Sequence, residues 1–143
     1  MQIIGFNFEK IQAERKNNAK GKIEISSNIN IKSVTQESLD LVKEKPTLKF
    51  SFEFSLNYKP DIASLLFQGF VISIFEKEQA REILKKFKSK KISDEVRIPL
   101  FNFILSKCNL RALQFEEELS LPFHIPFPRI SHSQQSNNTN YTG

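Results

Sequence analysis

The sequence predicts an α+β fold, a four-stranded antiparallel sheet followed by two or three helices packed on one side. The strongest observation is the strict alternation of apolar and polar residues from Leu48 to Tyr58. Because strand side chains alternate between the two faces of a sheet, this run buries one face and exposes the other to solvent. Three further strand patterns surround it, and from Glu76 onward the apolar spacing becomes helical.

The first two strands follow from similar alternation. The first is predicted over about residues 2–14, with Ile4, Phe6 and Phe8 sharing one face. A turn at residues 17–21 comes next, since Asn and Gly tolerate positive φ. The second strand starts at Lys22, and its alternation changes parity at Val34, where we expect a β-bulge.

The fourth strand is predicted over Ile62–Ile74, after a bridging segment at residues 39–42 and turn residues at 44–46. It carries apolar residues at both even-numbered and odd-numbered positions, which is typical of a strand covered on both faces. Its Gly69 indicates a close backbone approach or a kink.

Two or three helices follow. Glu76–Lys91 is amphipathic and consists of helix formers. Ser93 is a good N-cap for the next helix, but Pro99 lies inside it, so this helix either starts later or kinks. Asn109 is a candidate interruption before a last helical pattern over Leu110–Leu119.

The prolines at positions 122, 126 and 128 then impose an extended segment. From Ser131 the sequence is polar and low in apolar residues, which predicts disorder. We therefore expect one α+β domain over residues 1–130 and a disordered polar tail over residues 131–143.

Nothing in the sequence indicates an enzyme, a cofactor or a metal site. His124 has no catalytic partner nearby in sequence and is expected to be a partly exposed loop histidine. Glu116–Glu118 point in different directions around a helix, so we expect a solvated face. Cys108 is the single cysteine, which fits a reducing compartment, and we expect it to be a buried or semi-buried structural residue. With no signal-peptide pattern or spanning segment, we expect a cytoplasmic protein that does not insert into membranes.

Five lysines lie within seven residues at the end of the first predicted helix: Lys85, Lys86, Lys88, Lys90 and Lys91. They form a candidate anion-binding patch, which could neutralise phosphates on RNA or an acidic protein segment. The alternative is a solvated helix end whose positive charge suits the helix dipole.

Apolar residues on the fourth strand and on the proline segment exceed what one small core needs. This surplus predicts a subunit interface, a polypeptide-binding groove, or both. The candidate polypeptide-binding residues are Phe67, Phe70, Ile72, Phe123, Ile125 and Phe127.

The order of elements resembles the SecB family of export chaperones over about residues 3–128. The resemblance is carried by the strand patterns Lys22–Glu37, Leu48–Tyr58 and Leu66–Ile74, and by Glu95–Arg97 before a proline-containing apolar segment. It implies a four-stranded sheet with helices on one side, assembly into dimers or tetramers, and surface grooves that hold unfolded chains without ATP. SecB proteins are typically acidic, whereas this chain has a net charge of +5. This departure argues against the acidic docking surface of the family and against a role in export.

The resulting hypothesis is a non-enzymatic, oligomeric, SecB-like protein that binds unfolded or extended polypeptides as an ATP-independent holdase. One alternative is a basic protein that associates with RNA or the ribosome through its lysine cluster. Another is a structural subunit of a larger complex.

Overall fold

The computed structural model describes residues 1–38 and 44–128. Its elements are β1 (Gln2–Arg15), β2 (Glu24–Glu37), β3 (Thr47–Lys59), β4 (Ala63–Ile74), α1 (Lys77–Phe87) and α2 (Asp94–Glu118). The strands form one antiparallel sheet in the order β1-β4-β3-β2. Both helices pack on one face of it, which confirms the predicted fold class. The predictions for residues 39–42 and for the tail lie outside the described residues.

We call the helix-covered face of the sheet the closed face and the other the open face. The even-numbered residues of Leu48–Tyr58 lie on the closed face, each at most 1% exposed. Helix α2 contributes apolar residues at every fourth position from Val96 to Ala112, each also at most 1% exposed. A continuous core between the sheet and the helices results.

Strand β1 contains two register shifts that the sequence pattern did not predict. One lies around Ile4 and the other between Phe8 and Lys10. An extra residue at such a shift interrupts the alternation of faces. Ile3, Phe6 and Phe8 consequently pack against the core, whereas Ile4 is 41% exposed. The prediction that Ile4 shares one face with Phe6 and Phe8 was wrong.

The predicted irregularity of β2 is present, slightly earlier than expected. The shift lies between Ile31 and Ser33, which leaves Lys32 without a cross-strand partner. In β4, a Cβ on Gly69 would overlap the carbonyl oxygen of Asn7 and lie 3.0 Å from the Phe52 ring. This confirms the predicted close backbone approach.

Helix α1 ends earlier than predicted, whereas α2 begins directly after the predicted N-cap and is not interrupted at Asn109. Helix α1 ends at Phe87 rather than Lys91, because Lys90 adopts a left-handed φ of 59°. The amide of Lys91 then donates to the carbonyl of Lys86 at 3.2 Å, as in a Schellman termination. Helix α2 begins after Ser93, includes Pro99, and continues through position 109 as one helix of 25 residues.

Candidate functional site

The predicted binding residues on β4 are divided between the two faces of the sheet. Phe67 lies on the closed face with 0% exposure and stacks on Phe54, with ring centroids 5.8 Å apart. Phe70 and Ile72 lie on the open face and are half-buried. Because Phe67 has no accessible surface, it cannot contact a ligand in this conformation, and we remove it from the candidate site.

The predicted residues after α2 lie on the proline segment, which we define as residues 121–128. Phe123 is 45% exposed and Phe127 is 54% exposed. Their rings meet edge to face with centroids 4.9 Å apart, while Ile125 is half-buried. We call Phe123 and Phe127 the aromatic pair.

The start of the proline segment is fixed to the end of α2. Ser120 has a left-handed φ of 53°, and the amide of Leu121 donates to the carbonyl of Glu116 at 2.8 Å. Arg15 of β1 places Nη1 2.7 Å from the carbonyl oxygens of both Leu119 and Ser120. A guanidinium at this position satisfies the terminal carbonyls and complements the helix dipole.

A buried polar network holds the segment further along. The Glu116 carboxylate is 0% exposed and accepts hydrogen bonds from the Tyr58 hydroxyl and from the backbone amide of His124, the latter at 2.9 Å. The His124 ring lies 2.8 Å from Glu116 Oε1 through Nδ1 and 2.9 Å from Asn109 Oδ1 through Nε2. Helix α2, strand β3 and the proline segment are thereby joined through one carboxylate.

The Tyr58 hydroxyl remains a hydrogen-bond donor in this network at neutral pH. Burial, with the hydrogen bond and charge of Glu116, raises the pKa of Tyr58 well above its usual range, so the phenol remains a donor. The Asn109 amide can pair with His124 Nε2 in either orientation, since its oxygen accepts from a protonated nitrogen and its NH2 donates to a bare one.

Sequence reasoning missed this network. Glu116 was expected on a solvated face and His124 was expected to be partly exposed, but the histidine side chain is only 8% exposed. A usable signal was present in α2. The buried residues recur at every fourth position, namely Val96, Leu100, Ile104, Cys108, Ala112 and Glu116. A carboxylate that continues an apolar row at this spacing lies on the buried face.

A second feature lies at the other end of α2. A cavity of about 450 Å³, which we call the basic groove, separates β2 from the segment that joins the helices. It is lined by Asn30, Ile31, Lys32, Phe87, Lys90, Ile92, Arg97 and Phe101. Three of these side chains are cationic and four are apolar, and none is acidic.

The predicted lysine cluster borders this groove. Lys85 and Lys86 occupy the last turn of α1, and all five lysines are exposed. Lys90 alone lines the cavity, with its ammonium 4.9 Å from the centroid of the Phe87 ring. The left-handed turn at Lys90 therefore separates the cluster into a helical part and a groove-lining part.

Cys108 is fully buried in the core. Burial raises the pKa of its thiol to about 12, so it is not a thiolate near neutral pH. Within residues 1–38 and 44–128, no group of three His, Cys, Asp or Glu side chains is arranged to hold a metal ion. Neither helix in this part of the chain has the length and apolar character needed to cross a membrane.

The sheet order and the two helices on one face define a SecB-like fold. The structure is similar to the Rv1957 SecB-like chaperone of Mycobacterium tuberculosis, solved in complex with a ChAD peptide from the HigA1 antitoxin. The TM-score is 0.51 at 13% identity, and the match covers 92% of this chain and 91% of the other. At this identity the likeness shows the fold alone. No protein-family model and no curated protein matches the sequence.

Proposed function

We propose that this protein binds unfolded or extended polypeptides, as a holdase that uses neither ATP nor any catalytic step. Support comes from the SecB-like fold, since the similar structure is a chaperone in complex with a peptide. The accessible apolar side chains supply the corresponding contact surface.

The observation that carries the proposal is the exposed aromatic pair. Two Phe rings in mutual contact, 45% and 54% exposed, offer apolar area that a client residue can cover. Complete burial of one such side chain contributes about 1.5–3 kcal/mol. The Glu116 network and the Arg15 contacts hold the segment in place, so less conformational entropy is lost when a client binds.

A second apolar surface contributes on the open face. Phe70 and Ile72 lie there on β4, flanked by polar residues of β1 and β3 such as Asn7 and Ser51. We assign these two residues to polypeptide contact together with the aromatic pair and Ile125. The proposal includes assembly into a dimer or tetramer, which size-exclusion chromatography with light scattering measures directly.

The test is suppression of aggregation of a diluted, denatured client without nucleotide and at high salt. Apolar contacts survive these conditions, since the Debye length falls to about 3 Å at 1 M salt. The double variant Phe123→Ser/Phe127→Ser should lose most of the protection while its melting temperature stays within a few degrees of wild type.

The matched control is Ile98→Ser/Leu110→Ser, which removes two apolar side chains of α2 that are 50% and 61% exposed. This control should protect the client as well as wild type does. If wild-type protein fails to delay aggregation at several-fold molar excess, the holdase function is refuted. Equal losses in both double variants would show that the aromatic pair is not the contact site.

A further inference from the structure

We propose that the basic groove selects acidic, apolar segments of extended polypeptide. This proposal rests on the proposed function, because it takes a polypeptide as the ligand. It specifies which polypeptide segments the protein prefers by their charge and apolar content. The aromatic pair alone does not determine that preference.

The positive charge of the groove comes from three separate elements. Lys32 is on β2, Lys90 follows α1, and Arg97 is in the first turns of α2. Among the described residues, Lys32 and Lys90 take part in no salt bridge. Arg97 Nη2 lies 2.8 Å from an oxygen of Asp94, which neutralises part of its charge. The groove therefore retains at least two cations available to a ligand.

The β-bulge explains why Lys32 belongs to this group. Lys32 is the residue left without a cross-strand partner between Ile31 and Ser33. A bulge changes the direction in which a side chain points, and Lys32 lines the same cavity as its neighbour Ile31. The break in the β2 alternation is therefore linked to the presence of the Lys32 side chain in this groove.

The remaining lining makes a purely anionic ligand a poor match. Ile31, Phe87, Ile92 and Phe101 contribute apolar surface between the cations. Lys90 and Arg97 lie over two of these rings, at 4.9 Å from Phe87 and 6.0 Å from Phe101. A segment with carboxylates interleaved with apolar side chains would use both kinds of surface at once.

The position of the groove favours an extended chain. Strand β2 is at the end of the sheet order, so within the described residues its outer edge has no strand partner. An exposed edge can bind an extended peptide through backbone hydrogen bonds, while adjacent pockets read the side chains. This edge favours a polypeptide over RNA, although the charge by itself would suit either.

The groove and the aromatic pair can be tested separately. Phe101 lines the groove, and Glu116 anchors the proline segment fifteen positions later on the same helix. At a rise of about 1.5 Å per residue, these positions are about 22 Å apart. The two surfaces share no residue, so substitutions in one leave the other intact.

The experiment measures binding of three labelled peptides by fluorescence anisotropy. All three carry Leu and Phe at alternate positions and differ only in the intervening residues, which are Glu, Gln or Lys. At low salt we expect the Glu peptide to bind about tenfold or more tightly than the Lys peptide, which corresponds to at least ~1.4 kcal/mol. Salt should reduce this difference by screening it.

The variant Lys32→Glu/Lys90→Glu should abolish or reverse the preference. The matched control is Lys10→Glu/Lys20→Glu, which makes the same change in net charge at two exposed lysines outside the groove. This control should keep the preference for the Glu peptide. Thermal melts of both variants verify folding, and all four lysines are exposed.

Four results would overturn the proposal. The first two are equal binding of the three peptides and an unchanged preference in Lys32→Glu/Lys90→Glu. The other two are loss of the preference in the control as well, and displacement of the Glu peptide by an oligoribonucleotide at lower concentration. Equal binding refutes the charge selection and leaves polypeptide binding in place. If neither the peptides nor a denatured client binds, the proposed function itself fails.

Discussion

The two faces of the sheet are built from the same strands and have different physical roles. On the closed face, Phe50, Phe52 and Phe54 of β3 are each at most 1% exposed and pack beneath the helices. On the open face, the alternate residues of β3 are polar, and apolar residues are concentrated on β4, where Phe70 is half-buried. The comparison shows that the alternation in β3 directs apolar side chains into a single core. Strand β4 has apolar residues at both even and odd positions, so it also supplies an accessible apolar surface on the open face.

The largest loss of stability is expected from a substitution in the core on the closed face. Phe52→Ala should lower the free energy of unfolding by about 3–5 kcal/mol, as for a buried aromatic residue. Phe52 is 1% exposed and contacts the rings of Phe6 and Phe8, with centroids 5.7 Å and 6.3 Å away. Chemical denaturation measures the change. A loss below ~1 kcal/mol would mean that this face is not a packed core.

The next largest effect on stability is expected at Glu116, the carboxylate that α2 buries against the closed face. Glu116→Gln replaces one acceptor oxygen with a donor, so the Tyr58 hydroxyl or a His124 N–H loses its partner. We expect a loss of about 1–3 kcal/mol, the cost of an unsatisfied buried polar group. The control Glu117→Gln changes the adjacent, exposed carboxylate and should leave stability unchanged. Faster hydrogen exchange at the His124 amide should accompany only the Glu116 substitution.

A third effect on stability is expected at alkaline pH, because α2 buries the Cys108 thiol in the core beneath it. The unfolded chain releases the Cys108 proton near its ordinary pKa of 9.0, whereas the folded protein holds it to about 12. The unfolded state binds fewer protons in this interval, so the free energy of unfolding falls as pH rises from about 9 to 12. The thiol contributes a slope of about 1.4 kcal/mol per pH unit, and the buried Tyr58 phenol, whose pKa is also raised from 10.0, adds its own contribution at higher pH. Cys108→Ala should reduce that slope, and an unchanged slope would contradict the assignment.

The smallest effect is expected on the open face. Phe70→Ala removes a half-buried ring that carries the Lys49 ammonium 4.5 Å from its centroid. The cost should be about 1 kcal/mol, well below that of Phe52→Ala, because water already reaches the ring. A cost equal to that of Phe52→Ala would show that the open face is covered in solution, as in an oligomer. Light scattering of both variants would then decide whether Phe70 is a subunit contact.

The sequence predicted features that depend on local periodicity. The alternation from Leu48 to Tyr58 was sufficient to assign β3 and its buried face, since a period of two allows only one set of residues inward. The close approach at Gly69 and the N-cap at Ser93 were also predicted from the sequence. The β3 pattern and the start of α2 at Ser93 depend on constraints within one strand or one helix. At Gly69 only the residue type is local, since the atoms that approach it belong to β1 and β3.

Predictions that required knowledge of a neighbouring element were less accurate. Phe67 and Phe70 look equivalent in sequence, but only the helices above the sheet decide which one is buried. The β1 shifts that expose Ile4 depend on pairing with β4, and a sequence pattern does not contain the register. Glu116 was misplaced because its polarity outweighed its position in the apolar row of α2.

By itself, the sequence determined the fold class and the resemblance to SecB. It also identified the aromatic residues of the proline segment as candidates, because three prolines within seven residues, at positions 122, 126 and 128, exclude a helix there. Tertiary structure alone decided the Tyr58–Glu116–His124 network and the basic groove. The groove combines residues from β2, the end of α1 and the start of α2, and the network joins β3 to α2 and the segment after it. Residues so far apart in sequence become neighbours only when the helices close over the sheet.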